Sequence, residues 1–136
     1  MDKQDLKVFV DNWLSAWTGN KPQHLIEFYT NDVFYLDPAN QDGIRGKANL
    51  EVYFTKLLSK NANWKWRVVE IMPTEKGFVL KWEAIIPVLD KAFLIYGVDI
   101  VEMRGDKISR DEIYFDRYNW QTEVDLNKKS KKKVGR

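Results

Sequence analysis

The second half of the chain consists of four segments rich in β-branched and aromatic residues, a composition typical of β-strands. They are Trp64–Pro73, Phe78–Val88, Ala92–Arg104 and Ile108–Asp116. Short polar turns at residues 75–77, 89–91 and 105–107 separate these segments. Because connections this short join neighbouring antiparallel strands, the sequence predicts a four-stranded antiparallel meander.

The first half of the chain carries apolar residues at helical spacing. We predict a first helix from about Asp5 to Trp17, a second that begins near Asn20, and a third over about residues 47–60. Pro22 suits the first turn of the second helix, where its missing N–H costs little. Three helices followed by a meander predict an α+β domain.

Between the second and third helices, the extended run Val33–Asp37 stops at Pro38. Proline disfavours the helical region for the residue before it and cannot donate to a strand ladder. Asp37 is therefore predicted to end a strand with its carboxylate on one face. The alternative is that Asp37 only starts a turn, as Asp-Pro often does. Residues 39–43 are predicted to form a polar loop.

Several short pieces of sequence occur in a characteristic order. They are the helix with Trp13 and Trp17, Phe28–Val33, Tyr35–Pro38, Gly43–Gly46, Gly105–Ile108 and Tyr114–Asp116. In this order the chain, over about residues 5–118, resembles the nuclear-transport-factor-2-like cone fold and its SnoaL-like and ketosteroid-isomerase-like members. The resemblance implies three helices packed in the concave face of a curved, mixed, mostly antiparallel sheet. The family includes isomerases, cyclases, epoxide hydrolases, dehydratases and binding proteins, so the fold alone does not define a reaction.

The resemblance also suggests roles for acidic residues. The general base of ketosteroid isomerases matches Asp37, and the protonated Asp of their oxyanion hole matches Asp99. Their helix-one hydroxyl falls on Trp13, whose indole N–H donates a hydrogen bond but cannot transfer a proton. The acid–base Asp of SnoaL-like cyclases is loosely matched by Asp116. The Arg–Asp pair of the epoxide hydrolases is not matched, since Gly97 stands two residues before Asp99.

Asp99 is informative without the resemblance, because it interrupts an almost unbroken apolar run. Such a carboxylate must be paired, hydrated by a cavity or kept protonated, and a hydrogen bond to a neighbouring Trp or Tyr is the structural alternative. We expect Asp37 to stay ionised beside its polar loop and the pKa of Asp99 to be raised. The aromatic content of 14% suits an apolar pocket. The expected ligand contacts, each of which could instead belong to the core, are Trp13, Trp17, Tyr35, Tyr53, Phe54, Trp82 and Tyr114.

Composition excludes several other chemistries. The chain has no cysteine and a single histidine, His24, so neither disulfides nor the usual metal-ligand sets are available. There is no glycine-rich phosphate loop and no serine with a base partner signature. We therefore expect neither a cofactor nor a metal. No apolar run is long enough for a membrane span, and the charged first residues do not resemble a signal peptide, so we expect a cytoplasmic protein.

The positive charge is concentrated at the end of the chain. Six of the 22 basic residues lie between Lys128 and Arg136, so the net charge of +2 becomes −4 when they are left out. We expect a single domain over residues 1–126 and a basic, disordered tail over residues 127–136. Such a tail is more often solvated than bound to nucleic acid, which we do not expect as a partner.

A homodimer through the outer face of the sheet is expected, because apolar residues occupy positions that should face away from the helices. These residues are Ile85, Val88, Val98 and Ile100. Two functional hypotheses remain open. One is a cofactor-independent acid–base isomerase, cyclase or lyase acting on a small apolar, carbonyl-bearing molecule. The other is a non-catalytic ligand-binding or dimerisation module.

Overall fold

The computed structural model describes residues 2–116, in which three helices cover one face of a six-stranded sheet. The helices are α1 (Lys3–Ser15), α2 (Pro22–Leu25), which a 3-10 turn (Ile26–Phe28) extends, and α3 (Lys47–Lys60). The strands are β1 (Tyr29–Asp37), β2 (Asn40–Arg45), β3 (Lys65–Pro73), β4 (Gly77–Val88), β5 (Lys91–Arg104) and β6 (Lys107–Phe115). The expected tail at residues 127–136 and the domain boundary at 126 lie outside the described residues.

Local sequence accounts for the helix ends. The carboxylate of Asp2 caps α1 by accepting a hydrogen bond from the backbone N–H of Asp5 at 2.8 Å. Pro22 occupies the first turn of α2, as predicted. Gly46 precedes α3 with a φ of +90°, a conformation that residues with a side chain rarely adopt.

The sheet has the strand order β2-β1-β6-β5-β4-β3. Strands β3 to β6 form the predicted antiparallel meander, and β1 joins it by pairing in parallel with β6. The predicted α+β class, with helices against a mixed and mostly antiparallel sheet, is confirmed. The parallel pairing places Tyr35 beside Asp111, so β1 and the end of the meander share one inner face.

The prediction of a polar loop at residues 39–43 was wrong. Residues Asn40–Arg45 form β2, an edge strand that pairs with β1 through Tyr35 opposite Ile44 and Asp37 opposite Asn40. The polar composition reflects the exposure of an edge strand, which has a neighbour on one side only. A tight turn at Asp37 reverses the chain direction, because its carboxylate binds backbone N–H groups two and three residues later.

Aromatic side chains fill much of the space between the helices and the inner face of the sheet, the face that the helices cover. Trp13 of α1 lies 6.2 Å from Phe78 of β4, and Phe54 of α3 lies 5.1 Å from Trp17, both measured between ring centroids. The fully buried rings of this core include Trp13, Tyr29, Tyr35, Phe54 and Phe78.

The opposite, outer face of the sheet carries exposed apolar side chains. Ile85, Leu94 and Tyr96 are 47%, 53% and 54% exposed, and Ile85 lies directly opposite Leu94 in the β4–β5 ladder. Val98 and Ile100 alternate with the buried Asp99 and are half-buried on this face. Val88 was assigned to the same face, but it lines a cavity on the inner side of the sheet. Strand β4 alternates regularly, so Val88 shares the inward face with Ala84 and Ile86, whereas Ile85 points outward.

Candidate functional site

An internal cavity of about 410 Å³ lies between the helices and the inner face of the sheet. Its wall is predominantly apolar and aromatic, and its most prominent rings are Trp17, Tyr35, Tyr53, Trp64, Trp66 and Trp82. The charged and amide groups that line it are Asp37, Asp99, Lys60 and Asn61. A cavity of this size with few polar groups is typical of sites for small organic molecules.

Asp37 ends β1 and lines the cavity, and both of its carboxyl oxygens are fully engaged. Oδ2 accepts hydrogen bonds from the hydroxyls of Tyr35 at 2.8 Å and Tyr53 at 2.6 Å. Oδ1 accepts from the backbone N–H groups of Ala39 and Asn40 at 3.0 and 2.9 Å, and from the side-chain amide of Asn40 at 2.9 Å. Together these donors hold the carboxyl group in one orientation.

Asp99 reaches the cavity from the middle of β5 and is only 4% exposed. The indole N–H of Trp82 donates to its Oδ1 at 2.7 Å. Both sequence-based alternatives are therefore found together, since Asp99 faces the cavity and is also hydrogen-bonded to a neighbouring tryptophan. Burial raises the pKa of Asp99 to about 6, and the nearby charge of Asp37 adds to the rise. The adjoining carboxyl group of Asp111 and the hydrogen bond from Trp82 oppose it.

Gly97 allows Trp82 to reach Asp99. The two residues lie directly opposite each other in the β4–β5 ladder, and a Cβ at Gly97 would overlap the indole ring. A glycine inside a strand often marks the close approach of another group, and here that group is the ring of Trp82. The absence of a side chain lets the indole lie across β5, with its N–H directed at the carboxyl group two residues further on.

Asp111 of β6 is a buried acid that sequence reasoning missed. It is completely buried, its Oδ2 accepts a hydrogen bond from the hydroxyl of Tyr29 at 3.0 Å, and its carboxyl group lies against that of Asp99. Burial, followed by the charge of Asp99, raises the pKa of Asp111 well above its usual value. The charged neighbours Arg110 and Glu112 are typical of an exposed strand, so the local composition did not indicate that Asp111 is buried.

A signal for Asp111 was nevertheless available in the strand period. Ile113 and Phe115 line the cavity, and a residue two or four positions before them on the same strand shares their face. Asp111 occupies that position. Its side chain was therefore predictable as inward-facing once Ile113 had been placed in the core.

Six of the seven predicted ligand contacts divide into two groups. Trp17, Tyr35, Tyr53 and Trp82 line the cavity. Trp13 and Phe54 are fully buried but belong to the core, and the indole N–H of Trp13 donates to the hydroxyl of Tyr29 at 3.1 Å instead of facing the cavity.

The seventh predicted contact, Tyr114, and the predicted catalytic acid Asp116 lie near the end of β6. Tyr114 was predicted to face inward, but it is 46% exposed on the outer face, where its hydroxyl donates to Glu112 at 3.0 Å. It alternates with Ile113 and Phe115, which take the inward positions. Asp116, the loosely matched third acid, is exposed just beyond β6 and does not line the cavity.

Sequence reasoning did not identify the polar groups at the end of α3. Lys60 and Asn61 line the cavity together with Trp64 and Trp66. These residues flank the connection from α3 to β3, and only the packing of that connection over the sheet brings them to the site.

Within residues 2–116, no group of three or more His, Cys, Asp or Glu side chains is arranged to hold a metal ion. Of the helices in the same range, none is long and apolar enough to cross a membrane.

Comparison with known proteins places this geometry in a family. The family model of the SnoaL-like domain matches residues 10–111. A comparison with curated proteins found no match.

Among solved structures, similar folds occur at low sequence identity. A hypothetical protein from Catenulispora acidiphila DSM 44928 with a ketosteroid isomerase-like fold, in complex with trimethylamine, is 19% identical, with a TM-score of 0.70 over 79% of this chain and 85% of that one. SalBIII, an epoxide hydrolase/cyclase-like enzyme of pyran ring formation in salinomycin, is 16% identical, with a TM-score of 0.70 over 85% and 93%.

A candidate SnoaL-like polyketide cyclase from Jannaschia sp. CCS1 is 10% identical, with a TM-score of 0.74 over 89% of this chain and 92% of that one. At these identities the structural matches establish the fold alone, which is the cone fold that the sequence resembles. The family model adds the assignment, since it spans most of the described residues. The chain belongs to the SnoaL-like domain family.

Proposed function

We propose that the chain is a cofactor-independent acid–base enzyme that isomerises or cyclises a small, apolar, carbonyl-bearing molecule. The observation that carries the proposal is the position of Asp99, a carboxyl group with a pKa of about 6 in the wall of an apolar cavity. A general base works best when its pKa lies near the operating pH. Strongly perturbed acids in a cleft are also a common property of catalytic sites.

The hydrogen bonding favours Asp99 over Asp37 as the group that moves a proton. Asp37 accepts five hydrogen bonds, so a ligand proton could reach it only by displacing one of them. Asp99 receives a single indole N–H on the oxygen Oδ1 and a carboxyl contact from Asp111. We therefore assign proton transfer to Asp99. Asp37 and the two tyrosines bound to it form a fixed polar group at one end of the cavity, which orients the ligand.

The proposed reaction conserves atoms and charge. The carboxylate of Asp99 takes a proton from a carbon next to a carbonyl group, which leaves an enolate in the cavity. In an isomerisation, Asp99 returns the proton to another carbon of the same system. In a cyclisation, the enolate carbon forms a bond to a second carbonyl carbon, and Asp99 protonates the resulting alkoxide. Neither route consumes an oxidant, a reductant or another reactant.

The similar structures agree with this substrate class. SalBIII is described as forming a pyran ring, and the Jannaschia protein as a candidate polyketide cyclase. Polyketides carry carbonyl groups along a carbon chain, and an apolar cavity walled by tryptophan and tyrosine rings suits a molecule of this kind.

A non-catalytic ligand-binding protein of the same fold is the second candidate. The complete hydrogen bonding of Asp37 favours it, because a saturated carboxylate stabilises the cavity wall and needs no ligand. Asp99 would then accept a hydrogen bond from a ligand without receiving a proton from it.

Proton exchange into deuterated water distinguishes the two candidates. Small cyclic and aromatic ketones are screened for binding by NMR, and the bound ones are followed for loss of the hydrogen next to the carbonyl group. We expect exchange with the wild-type protein and a loss of about a hundredfold or more in Asp99→Asn. Exposed Asp106 supplies the matched control, Asp106→Asn, which should exchange as the wild type does.

Two results would contradict the enzyme. A ketone that binds without accelerated exchange supports the binding protein, and equal exchange in Asp99→Asn removes Asp99 from the mechanism. Asp116→Asn tests the remaining acidic candidate. We expect no effect, since Asp116 lies outside the cavity lining.

We further infer that two copies of the chain associate through the outer face of the sheet. Ile85 and Leu94 pair across β4 and β5, while Val98 lies opposite Tyr114 across β5 and β6. With Tyr96 they form an apolar strip along β5, which Lys81 and Glu83 of β4 border opposite Val98 and Tyr96. Exposed strips of this kind are uncommon on monomeric proteins and mark interaction surfaces.

A further inference from the structure

Among the buried side-chain nitrogen and oxygen atoms in the described part of the chain, one has no hydrogen-bond partner, and it belongs to Asp111. Its Oδ1 is fully enclosed and receives no N–H or O–H, whereas Oδ2 accepts from the hydroxyl of Tyr29. A buried carboxylate oxygen without a donor is costly, so native proteins rarely leave one. An oxygen that instead carries a proton becomes a donor and needs an acceptor nearby.

Asp99 is that acceptor. Asp99 and Asp111 sit at diagonal positions on neighbouring strands, since Asp99 lies opposite Ile113 and Val101 lies opposite Asp111 in the β5–β6 ladder. Diagonal side chains on one face of a sheet come within reach of each other. Two ionised carboxylates cannot form a hydrogen bond, but a protonated one donates to its partner.

Two tryptophans determine the direction of the hydrogen bonds around the pair. An indole can only donate, so the hydroxyl of Tyr29 accepts from Trp13 and must direct its own hydrogen to Asp111. Trp82 in turn can only donate to Asp99. Trp13 of α1 therefore donates to Tyr29, and Tyr29 donates to Asp111. A hydrogen on Asp111 Oδ1 would extend this chain of hydrogen bonds to Asp99.

We propose that Asp111 carries a proton on Oδ1 and donates it to Asp99, so that the two carboxyl groups share one proton at neutral pH. Asp111 is then a positioning residue behind the cavity wall. It holds Asp99 as an acceptor and supplies the hydrogen bond that stabilises its charge. The use of that acceptor toward a ligand rests on the proposed function, whereas the proton on Asp111 does not.

The surroundings of the pair agree with one retained proton. The titratable groups that face it from β1 are Tyr29, Tyr35 and Asp37. Burial raises the pKa of both tyrosines well above the usual value, so they remain neutral donors. The charge of Asp37 raises the pKa of both acids of the pair. The two indoles do not titrate and remain donors at every pH.

The proton is measured through the pH dependence of stability. Asp111 is ionised in the unfolded chain above about pH 5, so unfolding releases its proton, and stability falls as pH rises. We expect the unfolding constant of the wild type to increase about tenfold per pH unit between about pH 6.5 and 8. Urea titrations at several pH values provide this slope.

Asp111→Asn is the decisive variant, because an amide can accept from Tyr29 and donate to Asp99 but carries no titrating proton. We expect it to fold and to lose the tenfold dependence. Asp106→Asn, which removes an exposed carboxyl group in the β5–β6 turn, should retain it. A wild-type slope in Asp111→Asn would overturn the proposal, as would a wild type whose stability does not change over this range.

Carbon-13 NMR of the carboxyl groups tests the positioning role separately. The pKa of Asp99, about 6 in the wild type, should stay near that value in Asp111→Asn, which keeps the donor. In Asp111→Leu the donor is lost, so the pKa of Asp99 should rise by about one unit or more. If Asp111→Leu does not fold, the pH dependence of stability in Asp111→Asn still tests whether Asp111 carries the proton. Equal pKa values of Asp99 in the Asn and Leu variants would overturn the positioning role.

Discussion

Gly97 and Trp82 lie directly opposite each other in the β4–β5 ladder, and the indole ring occupies the space that a side chain at Gly97 would take. This relationship directs the indole N–H to Asp99. The one residue without a side chain in the middle of β5 thus determines the hydrogen bonding of the acid two positions later.

Gly97→Ala should displace the indole ring of Trp82. Overpacking of this kind costs about 1–3 kcal/mol of unfolding free energy, and here a hydrogen bond to a buried acid is also strained. Chemical denaturation measures the cost, and the NMR signal of the Trp82 indole N–H reports the displacement. A variant with unchanged stability and an unchanged Asp99 pKa would show that the ring can move aside freely.

Asp37→Ala should be strongly destabilising, by about 3 kcal/mol or more, because several buried donors lose their acceptor at once. The affected groups include the hydroxyl of the fully buried Tyr35 and the backbone N–H groups that form the turn after β1. Exposed Asp42 in β2 offers a matched control, and Asp42→Ala should change stability by no more than about 0.5 kcal/mol. Similar values for the two variants would contradict the structural role of Asp37.

Asp99 should make stability depend on pH near neutrality. Its folded pKa of about 6 lies above the usual value, so the folded state binds more protons than the unfolded state in the range between them. Stability is therefore greatest at the acidic end of this range and falls as pH rises through 6, by an amount on the order of 3 kcal/mol.

Asp99→Asn should remove most of this fall, so that the variant becomes more stable than the wild type at pH 8. Thermal or urea unfolding at pH 5 and pH 8 provides the comparison. The opposite ranking at pH 8 would mean that the charge of Asp99 is better compensated than its burial indicates.

Tyr96→Lys should separate a dimer built on the outer face. The side chain is exposed in the single chain, so a charge there leaves the fold intact but is expelled from an apolar contact between copies. Light scattering at micromolar concentration measures the mass, and circular dichroism checks the fold. A wild type that is already monomeric at this concentration would refute the dimer.

Much of the architecture could be predicted because it depends on local patterns. The meander follows from strand-forming segments with connections too short for anything except antiparallel pairing, and α3 follows from its apolar spacing. The polar composition of residues 40–45 misled the prediction because an edge strand and a loop both have solvent-exposed backbone. Residues 40–45 form a strand because the turn at Asp37 brings them back alongside β1, with which they pair.

Local sequence patterns identified two acids in unusual positions: Asp37 at a strand end, and Asp99 inside an apolar run. The environments of these acids depend on tertiary packing. Pairing β1 beside β6 brings Tyr29 to Asp111, and pairing β5 with β6 brings Asp111 to Asp99. Protonation and hydrogen bonding depend on groups far apart in the chain, such as Trp13, Tyr29 and Asp111, and distances between such groups are not encoded in any local period. The physical reason is that burial and charge act over a few ångströms in space, whereas sequence patterns report only the face on which each side chain lies.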